Sequence, residues 1–187
     1  MNLFQNKRNY LNDWLKNNKY TEKVYKEQKD ASIIEPTVNE LKNALKQYAP
    51  QSILEIGCGW GRLMKPINKE FNLEGCDIQK EYLQAAKKEG LKVYELDIVK
   101  SAPPKKYDLV YCYGLFMYFN EKQIQQALEN TIKITNKKII IFEWADTCEK
   151  ILKAVNKGLI LNSNKLELHI ILNKGLEEWK KTKRSSM

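Results

Sequence analysis

The 187-residue chain has one histidine, three arginines and five prolines, and its four cysteines form no Cys-x-x-Cys pair. Cys58, Cys76, Cys112 and Cys148 show no ligand-like clustering with His169, which argues against a zinc centre and leaves no metal expected. Three of the four sit in or beside apolar, strand-like segments, so buried free thiols in a reducing compartment are expected. No apolar run approaches the roughly 20 residues that span a bilayer. Met1 to Lys29 is studded with Lys and Asn and has no signal-peptide apolar core. A cytoplasmic, soluble chain with no membrane partner is the expectation. Internal repeats and low-complexity linkers are also missing, and an apolar fraction of 43% is too high for disorder. Residues 1–187 therefore read as one domain.

What the chain has in surplus is lysine. The 32 cations outnumber 23 anions for a net charge of +9, and 29 of the cations are Lys. The excess is uneven: +3 in residues 1–50, 0 in 51–100, +1 in 101–150 and +5 in 151–187. Basic flanks can attract RNA or another anionic partner. A solvated lysine-rich surface is the simpler reading, and the scarcity of Arg argues against base-specific readout.

The apolar pattern predicts alternating strands and helices. Val38, Leu41, Leu45 and Tyr48 share a helical face after Pro36. Strands are expected at 52–56, 71–77, 93–96, 108–112 and 139–142, as short continuous apolar runs. Helices are expected around Leu63, Met64 and Ile67, over 81–88 and over 121–135. This order predicts an α/β fold: a doubly wound, mostly parallel sheet with helices on both faces. Residues 1–35, with Trp14, Tyr20 and Tyr25, read as a helical lid, 36–145 as the core and 146–187 as the part completing the sheet. Leu166 to Leu172 fits either an antiparallel hairpin turning at Asn162-Ser163-Asn164 or one helical face with Leu176 and Trp179.

The chemistry concentrates in Glu55-Ile56-Gly57-Cys58-Gly59-Trp60-Gly61-Arg62. Glycines at i, i+2 and i+4 between a strand and a helix let a ligand lie against backbone N–H groups. Asp77, 20 residues after Gly57 at the tip of the second strand with Ile78 beside it, suits ribose hydroxyls. Asp97 after the third strand can accept from an exocyclic amine, with Ile98 beside the ring. Cys112-Tyr113-Gly114-Leu115 opens the crevice at the carboxyl edge of the sheet. Dinucleotide sites use Gly-x-Gly-x-x-Gly against an anionic pyrophosphate. Here Gly-x-Gly-x-Gly follows Glu55, whose charge would favour a cationic ligand.

These residues resemble the class I S-adenosylmethionine-dependent methyltransferases over about residues 36–145. The likeness rests on the Ile53 to Gly61 motif, Asp77, Leu96-Asp97-Ile98 and Tyr107 to Phe119. It implies a Rossmann-like fold and S-adenosyl-L-methionine as cofactor, held by Glu55, Gly57, Cys58, Gly59, Gly61, Asp77, Ile78, Asp97, Ile98, Tyr113 and Gly114. The three loop glycines would wrap the methionine portion, and Tyr113-Gly114 would lie near the transferable methyl. The fourth strand lacks the Asp/Asn-Pro-Pro-Tyr/Phe of base-amine and glutamine methyltransferases and the Pro-Cys nucleophile of cytosine enzymes. It resembles small-molecule members instead, so methyl transfer to O, N or S of a small-molecule acceptor is expected. Tyr113, Glu143 and His169 are the candidate catalytic groups, with His169 able to act as a base near neutral pH. RNA or protein acceptors, and a non-catalytic binding protein on the same fold, are the competing readings.

Overall fold

The computed structural model describes residues 34–156 and 166–172. Most of the expected lid, with Trp14, Tyr20 and Tyr25, and the Asn162-Ser163-Asn164 turn lie outside the described residues. The chain enters through helix α1, Glu35–Tyr48, started by Pro36 in its first turn and ended by Ala49 in the left-handed conformation. Strand β1 spans Ile53–Ile56 and β2 Leu73–Asp77. Helix α2 covers Lys80–Lys88, β3 Val93–Glu95 and β4 Tyr107–Tyr113. After a single 3-10 turn, Phe116–Tyr118, come α3, Glu121–Ile134, β5, Thr135–Glu143, α4, Ala145–Asn156, and β6, Glu167–Leu172.

The strands form one sheet in the order β3-β2-β1-β4-β5-β6, and every described pairing is parallel. β1 and β4 are entirely or almost entirely buried, as strands covered on both faces must be. One face packs Leu41 and Leu45 of α1 and Leu83 and Ala86 of α2 against Ile53, Leu109 and Tyr111. The other packs Ile124, Ala127 and Leu128 of α3 and Ile151 of α4 against Leu54, Val110, Cys112 and Ile141. The strand order runs outward in both directions from β1 and β4. Their carboxyl ends are thus the switch point, where connections part and leave a crevice. No helix among the described residues is long and apolar enough to cross a membrane.

Two expectations are corrected. The segment after β1 is a chain of turns, in which i−4 bonds (Lys65 to Gly61, Asn68 to Met64) mix with i−3 bonds (Ile67 to Met64, Glu70 to Ile67). Pro66 has no N–H to donate to Arg62, so the ladder breaks there although Leu63, Met64 and Ile67 remain buried. At the C-terminal end, residues 167–172 form neither a helix nor an antiparallel partner of β5. β6 runs parallel to β5, with Lys138 opposite Glu167 and Glu143 opposite Leu172.

Candidate functional site

The loop leaving β1 is held by backbone bonds to the end of β2. Gly57 and Cys58 both donate to the Cys76 carbonyl, at 2.8 and 3.0 Å. Asp77 completes the clasp: one carboxylate oxygen accepts from Gly59 N–H and the other from Gln79 N–H, each at 2.8 Å. A carboxylate has about four lone-pair sites, so Asp77 keeps capacity for a further donor such as a ribose hydroxyl. Its burial pushes its pKa upward, against the pull of those backbone N–H groups.

The three loop glycines have different tasks. All adopt positive φ, at +71° for Gly57, +54° for Gly59 and +84° for Gly61. A Cβ on Gly57 would stand 2.9 Å from Leu115 Cδ1, and one on Gly61 would collide with Leu91 Cδ1. At those two positions a Cβ would press on the end of a leucine side chain, which would have to shift. A Cβ on Gly59 would meet nothing within 4 Å. Gly114, beyond β4, also faces space, with only Met117 Sδ at 4.0 Å. Bare backbone at Gly59 and Gly114 lines the two sides of the switch-point crevice, and this cradle fits a nucleoside with a slender chain.

Glu55 differs from its expected role. It is 2% exposed, inside β1, and accepts a hydrogen bond from Tyr111 Oη at 3.0 Å. Burial pushes its pKa up to about 8, only partly offset by Tyr111 and Arg62. At neutral pH the carboxyl is mostly protonated and beneath the loop, so it supplies no anionic surface to a ligand. Cys58, 4% exposed, packs beside Gly75 and contributes backbone only.

The two neighbours expected to meet an adenine, Asp97 and Ile98, diverge. Asp97 accepts from Val99 N–H at 3.1 Å and pairs with Lys100 at 3.0 Å, its side chain 32% exposed. Ile98 does not face a ligand surface; it is buried in the core, and its carbonyl accepts from Asn130 Nδ2 at 2.7 Å. The exposed apolar side chain of this region is Ile78, 38% accessible beside Asp77.

Of the candidate catalytic groups, Tyr113 and Glu143 meet at the carboxyl edge on opposite faces of the sheet. Glu143 is fully buried, and its Oε1 accepts from Phe116 N–H at 2.5 Å. It thereby pins the 3-10 turn after β4. Burial raises its pKa to about 7 despite backbone N–H groups of residues 115–117 and 144. His169 is elsewhere. It lies mid-strand in β6 opposite Ile140, 3.3 Å from Glu167 and edge-on to Tyr48. That is two strands and two residues from Tyr113, roughly 12 Å at the backbone.

Two further groups gain meaning only from the fold. Arg62 sits with its guanidinium carbon 5.2 Å from the centre of the Tyr113 ring. Of the four buried side-chain polar atoms without a hydrogen-bond partner among the described residues, three are Gln79 Nε2, Tyr113 Oη and Glu143 Oε2. These follow or end β2, β4 and β5, at the carboxyl edge. The fourth, Lys138 Nζ at the amino edge, is 2.6 Å from Glu167. A cavity of about 250 Å³ near Tyr48, Lys137, Lys138 and Glu167 also lies at that amino edge, away from the glycine loop.

A glycine loop clasped by Asp77 at the switch point of a parallel sheet lies where open α/β folds bind their ligands. Comparison narrows the class. Residues 53–138, just under half of the chain, match the family described as "Methyltransferase domain". Malonyl-(acyl-carrier protein) O-methyltransferase 2 of Ilyobacter polytropus is 34% identical over 91 residues, 44% of this chain and 35% of that relative. The match thus spans about a third of the curated relative's length. The N-methyltransferase NodS from Bradyrhizobium japonicum WM9, solved with S-adenosyl-L-homocysteine, superposes with a TM-score of 0.62 at 17% identity. That match covers 81% of this chain and 85% of NodS. Magnesium protoporphyrin IX methyltransferase from Synechocystis PCC 6803, solved with S-adenosylmethionine, gives 0.55 at 16% identity, covering 65% and 68%. At such identities the likeness is one of fold.

Proposed function

We propose that this chain is an S-adenosylmethionine-dependent methyltransferase that moves a methyl group to O, N or S of a small-molecule acceptor. The observation that carries this reading is the open face of Gly59 with its N–H held by Asp77. Bound there, the cofactor supplies an activated methyl on a sulfonium, so transfer needs no separate activation of the donor. Asp77 holds the ribose while keeping the loop closed, and Ile78 offers an apolar surface to the adenine. Asp97, half tied by Val99, receives the exocyclic amine in place of the exposed Lys100 ammonium. Gly114 and the Tyr113 ring border the place where the acceptor meets the methyl. Alignment in a shielded site supplies much of the rate for such an in-line displacement.

The names of the relatives support a small acceptor, since they include a carrier-bound malonyl group and a porphyrin. Free Cys58, Cys76, Cys112 and Cys148 support work in the cytoplasm. The single-domain reading of residues 1–187 also belongs to this proposal. RNA or a protein side chain is the second acceptor class, supported by the +3 and +5 segment charges at the two ends. Calorimetry with S-adenosylhomocysteine tests the cofactor: the wild type binds, and Asp77→Ala binds at least about 100-fold more weakly, having lost the clasp and the ribose acceptor. Methyl-labelled cofactor added to cell extract then places label in the small-molecule fraction. Absence of binding, or no loss in Asp77→Ala, sinks the reading; label in RNA or protein selects the second class.

A further inference from the structure

Glu143 ends β5 fully buried and forms no ion pair among the described residues. A carboxyl withdrawn from water without a cation is costly unless other donors offset the loss. The donors here are backbone N–H groups. Phe116 N–H donates to Oε1 at 2.5 Å, and those of Trp144, Met117 and Leu115 also act on the carboxyl. Three of the four belong to consecutive residues of the turn after β4, so that turn aims its N–H groups at one side chain.

The same turn touches both sides of the crevice. Gly114 N–H donates to the Phe142 carbonyl at 2.9 Å, and Trp144 Nε1 donates to Met117 Sδ at 3.0 Å. With the Phe116 bond, three links fasten residues 114–117 to the end of β5. Leu115 Cδ1 lies 2.9 Å from the place of a Cβ on Gly57, against the glycine loop, while Gly114 leaves its own side open. A shift of the turn therefore moves the Gly114 wall and the support of the glycine loop together. Buried, and with Oε1 taken by Phe116, Glu143 acts through these residues rather than on a substrate.

We infer that Glu143 is a positioning residue: by gathering the N–H groups of residues 115–117 it sets where Gly114 and Leu115 stand, and so how the crevice fits a nucleoside thioether. The role rests on the cofactor reading proposed above. An ionised carboxylate accepts N–H bonds roughly twice as strongly as a neutral carboxyl. Glu143 changes charge near pH 7, so the wall is held more firmly above that pH. Cys112 of β4 and Cys148 of α4 face it; burial first and Glu143 next raise both, and they stay thiols. Asp146 of α4 acts on Cys148, and β6 sets Leu172 opposite Glu143.

Calorimetric titrations of the full chain between about pH 6 and 8, read per folded molecule, test this. The probe is 5′-methylthioadenosine, which keeps the nucleoside and thioether of the cofactor but has no amino-acid group to titrate. The wild type should bind it about 5- to 10-fold more tightly at the higher pH. Glu143→Gln keeps an acceptor for Phe116 but no charge. It should match the wild type at about pH 6 and change by less than about 2-fold with pH. Glu143→Ala, with no acceptor, should bind more weakly than Glu143→Gln throughout. Where these variants fail to fold, the wild-type profile stands by itself, and Trp144→Phe, which drops the Met117 link, should weaken the probe by about 2- to 5-fold and keep the pH dependence. Wild-type affinity independent of pH, or a pH dependence that Glu143→Gln retains, overturns the role. So does Glu143→Gln that binds like the wild type across the range but transfers no methyl, since Glu143 would then be an acid or base of the reaction. A wild type that binds neither this probe nor S-adenosylhomocysteine overturns the cofactor reading itself.

Discussion

The two edges of the sheet treat polar groups in opposite ways. At the amino edge they satisfy one another. Glu74 accepts from Tyr107 Oη at 2.7 Å and from Lys105 at 2.5 Å, and Tyr94 Oη stands 3.2 Å from Tyr107 Oη. Asp108 accepts from Gln51 N–H and pairs with Lys137, and Lys138 pairs with Glu167. At the carboxyl edge, Gln79, Tyr113 and Glu143 keep buried atoms without partners, Arg62 lacks a carboxylate, and Gly59 faces space. An unmatched buried polar group costs about 1–3 kcal/mol. A marginally stable fold retains several of them on one edge where a ligand completes them. The difference supports the proposed binding edge without reference to any sequence motif.

The sharpest way to break this comparison is to fill the open glycine. Gly59→Val places a branched side chain where a Cβ meets nothing within 4 Å. It should abolish S-adenosylhomocysteine binding by at least about 100-fold while costing stability only the strain of positive φ, about 1–2 kcal/mol. Gly61→Ala should do the reverse. Its Cβ runs into Leu91, adding an overpacking cost of about 1–3 kcal/mol to the same strain, with binding kept in the folded fraction. Calorimetry beside urea unfolding reads both numbers. Equal losses of binding in the two variants would mean that Gly59 has no special relation to the ligand.

Acid and base should act on the two edges with opposite sign. Folded Glu143 holds its proton up to about pH 7 and Glu55 up to about 8, whereas an unperturbed Glu releases its proton near 4.5. The folded state then binds more protons, so these two groups make stability fall as pH rises from about 4.5 to 8. For Glu143 the whole fall amounts to about 3 kcal/mol. At the amino edge, the Gln51 N–H bond, aided by Lys137, holds Asp108 below the usual carboxylate range. Its contribution is present above about pH 4 and lost as pH falls through its folded value. Thermal unfolding from pH 3 to 8 checks this. Glu143→Gln should flatten the neutral limb relative to wild type, and Asp108→Asn the acid limb. A neutral limb unchanged by Glu143→Gln would show that this carboxyl is ionised in the fold.

Much of the framework was legible because parallel strands are continuous apolar runs. Ile53–Ile56 and Leu109–Cys112 could be read directly, and so could Asp77 at the tip of β2. What escaped depends on partners far along the chain. Glu55 looks like a loop anion until Tyr111, 56 residues later, is found on the same sheet face. Arg62 has no meaning until Tyr113 is placed beside it. Ile78 and Ile98 are alike in sequence, but only Ile78 stays accessible, because Asn130 of α3 clamps the turn holding Ile98. β6 was undecidable from Leu166 to Leu172 because both periods fit. The register with β5, which settles it, is a long-range property.

The finest comparison is between two tyrosines of one strand. Tyr107 and Tyr113 begin and end β4, and both hydroxyls are buried, but Tyr107 Oη has Glu74 and Tyr94 while Tyr113 Oη has no hydrogen-bond partner among the described residues. Tyr107→Phe strips Glu74 of one donor, so it should destabilise by about 1–2 kcal/mol. Tyr113→Phe removes a group that is already unmatched, so in the absence of ligand it should leave stability unchanged or raise it by up to about 1–3 kcal/mol. Urea unfolding of the two variants gives the values directly. If Tyr113→Phe costs as much as Tyr107→Phe, its hydroxyl is satisfied in the free protein and the contrast between the edges fails at this strand. If it is neutral, that hydroxyl adds nothing to the free fold and is left to hold a ligand.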